Sequence, residues 1–133
     1  MRHLIAYAFV FAAVFAATAT AEDDPLAPYL WEARPVIVFA DSPKDPRFIS
    51  QIERLEAAAA EMAERDVVVL TDTDPAAKGP LRQRLHPRDF QILLIGKDGQ
   101  IKYRRPHPVS AEDVIRQIDR MPMRRREMQG GQG

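Results

Sequence analysis

Apolar runs alternate along the chain with polar, proline-containing segments, and this pattern predicts a βαβ unit. The runs PVIVFA at 35–40 and DVVVLTDTD at 66–74 are typical of strands buried on both faces of a sheet. Between them, apolar residues recur every three or four positions over 48–63, which predicts an amphipathic helix. Asp45 is placed to cap this helix, with Pro46 at its first position. The two strands should be parallel and the crossover right-handed.

The second half of the chain carries a hairpin signal followed by a helix signal. Strand-like runs at 90–95 and 100–104 flank the sequence Lys-Asp-Gly, which favours a tight turn. A short helix is predicted over 80–85. Ser110, with an acidic residue three positions later, begins the pattern SAEDVIRQIDRM, which is typical of a capped helix.

The first 21 residues have the features of an export signal. A short basic start precedes an apolar run, and the segment ends in Ala-Thr-Ala at 19–21, with small residues at the positions that a signal peptidase reads. The apolar run is shorter than the roughly 20 residues that a membrane-spanning helix needs. We therefore predict a signal peptide over 1–21, cleavage after Ala21, and a processed chain without a transmembrane segment that is periplasmic or secreted.

The processed chain is short enough to be one domain with two flanking segments. Prolines and acidic residues over 22–34 predict an extended lead-in, anchored by the three large side chains at 29–31. The folded domain is predicted over 35–121. The segment 122–133 is predicted as a basic tail that can continue as a short amphipathic piece and is disordered at its glycine- and glutamine-rich end.

Composition and charge narrow the possible chemistry. The chain has no cysteine, so it forms no disulfide and performs no thiol chemistry. Residues 22–77 contain 5 basic and 13 acidic side chains, whereas residues 78–133 contain 13 basic and 6 acidic ones. This asymmetry predicts either an acidic and a basic face or two halves that pair with each other. Nucleic acid is not an expected partner of an exported chain that is not basic overall.

The order of the predicted elements, βαβ then ββα, resembles the thioredoxin-like core. The segments WEARPVIVFA, Arg65-Asp66, LIGKDG and IDRMPMRRREM resemble a bacterial family of exported domains of unknown function. That family is thioredoxin-like, more distantly peroxiredoxin-like, and related to a domain of sushi-repeat extracellular proteins. The resemblance implies an α/β fold of three layers with a four-stranded mixed sheet over 35–121, in a single small domain without cysteine. It implies no activity and no cofactor.

The sequence departs from the redox members of the superfamily at the positions where their chemistry occurs. Asp41 to Lys44 stand where a reactive cysteine would be. The position that is often a cis-proline before the third strand falls at Phe90 or Gln91. Because a thiolate is the nucleophile in that chemistry, peroxidase and disulfide-exchange activities are excluded for this chain alone.

Three carboxylates are the first candidate site. Asp41, Asp72 and Asp74 should follow the carboxyl ends of two adjacent parallel strands, where ligands of open α/β sheets collect. Together they could hold a hard cation such as Ca²⁺ or Mg²⁺. Alternatively, they cap loops and helix starts, and their spacing matches no dedicated metal motif.

Basic residues are the second candidate site. The predicted anion or partner face consists of Arg82, Arg84, Arg88, Lys102, Arg104 and Arg105. Arginine forks suit carboxylates and phosphates, so a protein or an anionic envelope partner would fit. Alternatively, these charges are a solvated surface, and those on 100–104 protect an edge strand from aggregation.

Sulfur and imidazole ligands are the third candidate. Met121, Met123 and Met128 could offer thioethers to Cu(I), although methionines at a helix end usually pack. The two histidines that follow the signal segment, His86 and His107, are dispersed, and a zinc site needs three or four ligands.

The pattern as a whole favours a binding module over an enzyme. No nucleophile–base pair, glycine-rich phosphate loop or G-x-S-x-G motif is present. The sequence therefore predicts a non-catalytic, exported binding or interaction module of the cell envelope. The alternative is a peroxiredoxin-derived enzyme that works without cysteine, or a metal-binding stress protein.

Overall fold

A four-stranded mixed sheet forms the centre of the computed structural model, which describes residues 24–132. The strands are β1 (Arg34–Phe39), β2 (Val67–Asp72), β3 (Gln91–Ile95) and β4 (Ile101–Arg105). Their order in the sheet is β2-β1-β3-β4, with β1 parallel to β2 and antiparallel to β3, and β3 antiparallel to β4. The predicted mixed sheet is therefore confirmed. The predicted signal peptide, 1–21, lies outside the described residues.

Within residues 24–132, five α-helices surround the sheet: α1 (Pro46–Ala57), α2 (Ala59–Glu64), α3 (Pro80–Leu85), α4 (Ala111–Asp119) and α5 (Pro122–Gln132). Both predicted caps are present, since the side chains of Asp45 and Ser110 accept hydrogen bonds from backbone N–H groups of the first helical turn. The helix predicted over 48–63 breaks at Ala58, whose N–H donates to the carbonyl of Leu55, three residues back. This tighter bond and the non-helical backbone of Ala58 separate α1 from α2.

Apolar side chains cover both faces of the sheet, so the fold has three layers. On one face, α1, α2 and α4 pack Leu55, Met62, Val114 and Ile118 against β1 and β3. On the other face, α3 and the N-terminal segment pack a smaller cluster, which consists of Leu26, Ile37, Phe39, Leu85, Leu93 and Ile95. β1 is buried at all six positions, because it is central and covered on both sides.

The prediction that the second strand is buried on both faces is wrong, because β2 is partly exposed. Val69 is 40% exposed, and the other residues of β2 are at least partly exposed. The reason is the strand order, which places β2 at an edge of the sheet.

None of the helices within 24–132 combines the length and the apolar character required to span a bilayer.

The two terminal segments differ in part from their predictions. The lead-in contains a 3₁₀ turn at Ala27–Tyr29 and is anchored by the buried Leu26 and by Tyr29, which packs against the same cluster. Leu30 and Trp31 are 43% and 59% exposed. The segment predicted as a partly disordered basic tail forms α5 as far as Gln132. Tertiary ion pairs, described below, hold α5 against the sheet. Gly133 lies outside the described residues.

Candidate functional site

The carboxyl ends of β1 and β2, here called the strand-end edge, hold the three predicted acidic residues. Asp72 is the last residue of β2 and pairs with Phe39 of β1. Asp41 is exposed just beyond β1. Asp74 caps the 3₁₀ turn Pro75–Ala77, accepting from the N–H of Ala77 at 3.4 Å. The topology thus puts these residues at one edge, as the parallel strands predict.

Arg82 of α3 occupies the strand-end edge. Its Nε donates to Asp72 Oδ1 at 2.9 Å, and an Nη donates to the carbonyls of Ala40 at 2.6 Å and Asp72 at 3.1 Å. The guanidinium also lies 5.4 Å from the centroid of the Phe39 ring. Asp72 is thereby engaged by a cation, and no group of three His, Cys, Asp or Glu side chains within 24–132 is arranged to hold a metal ion.

A second arginine follows the loop between β1 and α1. Arg47, in the first turn of α1, donates to both carboxylate oxygens of Asp45 and to both of Asp89. Hydrogen bonds from Arg47 hold the pKa of Asp45 and that of Asp89 below the usual value. The guanidinium lies 5.6 Å from the centroid of the Phe90 ring. Sequence reasoning did not single out Arg47, because nothing local indicates that Asp89 lies near it.

A charged network occupies the opposite end of the sheet. Arg34, at the start of β1, is fully buried and donates to Glu127 of α5 at 3.1 and 3.3 Å and to the Arg65 carbonyl at 2.8 Å. Lys97 Nζ donates to Glu127 at 2.9 Å and to Asp66 at 2.8 Å. Glu127 therefore joins the central strand, the hairpin and the last helix.

The same network extends to α4. Arg65 donates to both oxygens of Asp119 at 2.9 and 3.0 Å, and Arg124 of α5 approaches Asp119 at 3.3 Å. The hydrogen bond from Arg65 is the main reason that the pKa of Asp119 is below its usual value. For Glu127, burial opposes ionisation, but the hydrogen bonds from Arg34 and Lys97 outweigh it and lower the pKa.

A cleft of about 300 Å³ lies beside this network, between the β3–β4 hairpin and the start of α5. Its apolar wall includes Trp31, Met121 and Met123, and its charged wall includes Lys97, Lys102 and Arg126. We call it the Trp31 cleft.

The Trp31 cleft contains two of the three predicted sulfur ligands. Met121 and Met123 line it together, but Met128 and the two histidines do not. Several cations line the same space, and they oppose the binding of a further cation such as Cu(I).

The residues of the predicted basic face have different partners within the chain. Arg104 donates to the Gln91 side chain at 2.8 Å and to the Leu85 carbonyl at 2.9 Å, while Lys102 donates to Asp98 at 2.9 Å. Arg82 bonds to Asp72 at the strand-end edge, and Arg84 lies 3.6 Å from Asp24. Arg105 lies over the ring of Tyr103, and Arg88 is exposed. Of the six residues, Lys102 is the one that lines the Trp31 cleft.

Comparisons with known proteins show the fold and the family. The structure is similar to the reduced 2-Cys peroxiredoxin of Plasmodium vivax, with a TM-score of 0.60 and 14% identity over 77% of this chain and 84% of that one. It is also similar to thioredoxin peroxidase I of Plasmodium yoelii, with a TM-score of 0.54 and 16% identity over 76% and 79%. A search of curated proteins found no match. The family model described as a domain of unknown function, DUF4174, matches residues 25–127, so this cysteine-free, thioredoxin-like chain belongs to the DUF4174 family.

Proposed function

We propose that this chain is an exported, non-catalytic binding module of the cell envelope. The observation that carries the proposal is that Arg82 occupies the strand-end edge, beside the loop 41–44 where a thioredoxin-like enzyme would hold its thiol, and that Arg47 follows this loop in α1. Both guanidinium groups are bonded to carboxylates of the chain itself. Without a thiol at this edge, the fold retains its core but lacks the nucleophile of redox chemistry.

Export is supported by the first 21 residues. They combine a basic start, an apolar run and a small-residue ending. The family match begins at residue 25, close behind the proposed mature start at Glu22. The bacterial, periplasmic or secreted setting that we propose rests on this signal and on the resemblance of the sequence to a family of exported bacterial domains.

No observation favours the alternative, a cysteine-independent enzyme or metal-binding stress protein. Two of the three carboxylates of the strand-end edge are engaged, Asp72 by Arg82 and Asp74 as a cap, and Asp41 is exposed. The methionines of the Trp31 cleft share it with cations.

The proposal is tested by expressing the full chain, with a C-terminal tag, in a Gram-negative host. We expect intact-mass analysis of the periplasmic fraction to show a protein that begins at Glu22. An Ala21→Arg variant is the matched control and should remain unprocessed, because an arginine blocks the small-residue position. Wild-type protein that stays unprocessed in the cytoplasm would overturn the export part of the proposal.

The non-catalytic part needs its own assay. The purified mature chain should consume hydrogen peroxide, and reduce insulin disulfides, no faster than buffer. Turnover above buffer that persists in both Arg82→Ala and Asp72→Ala variants would mean that chemistry occurs elsewhere. Turnover lost in either variant would make the strand-end edge an active site. Both results contradict a non-catalytic module.

A further inference from the structure

The Trp31 cleft combines an exposed aromatic ring with a backbone that disfavours it. Trp31 is 59% exposed and has a φ of 65°. Bulky residues rarely adopt this left-handed conformation, which glycine and asparagine tolerate. The conformation is held by a hydrogen bond of 2.7 Å from the Trp31 N–H to the Lys97 carbonyl. The indole thus contributes little to the buried core, and it is exposed at the surface by a backbone conformation that is strained for tryptophan.

The charges around the cleft are unequal. Its lining has four cations, Arg34, Lys97, Lys102 and Arg126, and one anion, Asp98. Arg126 is exposed and belongs to none of the ion pairs within 24–132. Lys102 is paired with Asp98 at 2.9 Å, and Lys97 and Arg34 are paired with Asp66 and Glu127 just outside the lining. Four cations thus face three anions, which leaves the positive charge of Arg126 in excess.

N–H donors of the backbone and of a buried side chain add to the positive potential in the cleft. Helix α5 begins at Pro122 on the cleft wall, and the N–H groups of a first helical turn attract anions. Arg34, whose side chain is 1% exposed, also contributes to the wall, and its Nε has no hydrogen-bond partner within the described residues. An unpaired buried donor is uncommon in a protein interior.

The close approach of Lys102 depends on a glycine. A Cβ placed on Gly96 would collide with Lys102 Cε. The bare backbone of Gly96 therefore lets the lysine chain fold across the end of the hairpin. Lys102 and Arg126 then approach the cleft from two elements, the hairpin and α5, with the ring of Trp31 on the same lining.

We propose that the Trp31 cleft binds a small amphipathic organic acid, with its apolar body against Trp31 and Met123 and its single anionic group between Lys102 and Arg126. The volume of about 300 Å³ is at the lower end of small-molecule sites, which run from roughly 300 to 1,000 Å³. This inference rests on the proposed binding function and names its ligand class. A groove of about 410 Å³ along the edge of β2 carries no such inference, since nothing indicates what covers it.

The only tryptophan of the chain lies in the cleft, so its fluorescence reports on binding directly. We would titrate the mature chain with four probes that share one apolar tail: octanoate, octyl phosphate, octanol and octylammonium. Octanoate or octyl phosphate should change the emission and saturate, and added salt should weaken that binding. Octanol should bind about tenfold more weakly and octylammonium no more tightly than octanol. The first two probes distinguish a carboxylate ligand from a phosphate ligand.

Two variants test the named contacts. A Lys102→Gln/Arg126→Gln variant should bind the preferred acid about tenfold more weakly, with octanol binding unchanged. The matched control is Arg125→Gln, an exposed arginine of the same helix turn that does not line the cleft, and it should bind as wild type does.

The third variant, Trp31→Asn, separates binding from stability. Asparagine tolerates the left-handed conformation, so the melting temperature should equal or exceed that of wild type. Octanoate binding, followed by calorimetry in this variant, should be lost. A Trp31→Asn protein that binds as tightly as wild type would overturn the cleft assignment.

Other results overturn the inference without affecting the proposed function. Octanol that binds as tightly as octanoate would make the cleft a plain apolar depression, and no response to any probe at millimolar concentration would remove the site. Neither result bears on export or on redox turnover, so the proposed function would still rest on its own tests. Conversely, cleft binding by a protein that consumes peroxide would refute the proposed function and leave the ligand class standing.

Discussion

Replacing Glu127 by glutamine should destabilise the protein strongly, because it removes an anion that two buried cations share. Glu127 accepts hydrogen bonds from Arg34 and Lys97, whose side chains are 1% and 10% exposed. The variant leaves both cations buried with one anion fewer. Removing one partner of a buried pair costs about 3–5 kcal/mol.

Two features reduce this cost for Glu127. Its own side chain is 28% exposed, so solvent screens part of the interaction. Lys97 keeps Asp66, and Arg34 keeps the Arg65 carbonyl. We therefore expect a loss of about 2–3 kcal/mol at neutral pH, which lowers the melting temperature by roughly 8–12 °C.

The loss of stability in Glu127→Gln should depend on pH, because the ionised form of Glu127 is the one that stabilises the fold. The folded-state pKa of Glu127 lies below the ordinary value of 4.5, so its stabilisation is present above that value and is lost as the pH falls through the lowered one. Below that range, wild-type Glu127 is protonated and resembles glutamine. The difference between wild type and Glu127→Gln should therefore stay constant from pH 7 down to about 4.5 and shrink below that value.

The assay is urea denaturation followed by far-UV circular dichroism at several pH values. The matched control is Glu53→Gln, an exposed glutamate of α1 without an ion pair in the described residues, which should change stability by less than about 0.5 kcal/mol. In addition, Arg34→Met should cost less in the Glu127→Gln background than in wild type. A Glu127→Gln effect equal to that of the control, or one that does not shrink below about pH 4.5, would refute the reasoning.

Three further predictions concern buried polar contacts and a cap. Gln51→Ala should cost about 2–4 kcal/mol in urea denaturation, because the buried amide accepts from the Val109 N–H at 2.8 Å and donates to the Val109 carbonyl at 3.0 Å, and both groups would lose their partner. Gln51→Glu keeps an acceptor for the N–H but loses the donor to the carbonyl, and it should cost at least as much at neutral pH. Asp45→Ala should cost about 1 kcal/mol through loss of the α1 cap, and Asp45→Asn should recover most of it. Tyr103→Phe should be neutral or stabilise by up to about 1 kcal/mol, because the buried hydroxyl has no partner within the described residues. Burial also raises the pKa of Tyr103 to about 12, so wild type should lose stability between pH 10 and 12, and the phenylalanine variant should lose less.

Local sequence signals predicted the central strands and helices, because residues close in the chain determine where each of these elements begins and ends. The apolar run at 35–40 indicated β1, and the caps Asp45 and Ser110 marked the starts of α1 and α4. The Lys-Asp-Gly turn indicated the hairpin, and Gly99 does adopt a positive φ of 82°. Once the βαβ unit and the hairpin are placed, few sheet orders remain possible.

The candidate site was less predictable, since its residues come from distant parts of the chain. The parallel strands correctly placed Asp41 and Asp72 at one edge, but nothing in the local sequence shows that Arg82 bonds to Asp72. Likewise, the aromatic pattern predicted an anchoring role for Trp31, whereas the left-handed turn at that residue exposes it.

The sequence by itself determined the strands, the main helices, the absence of thiol chemistry and the resemblance to a thioredoxin-like family, because propensity, periodicity and composition are properties of short segments. Only the tertiary structure decided that β2 is an edge strand, that 122–132 is a helix, and that Arg34 meets Glu127 across 93 residues. Such ion pairs depend on which elements share an end of the sheet. That is a consequence of packing, and no local pattern of charges encodes it.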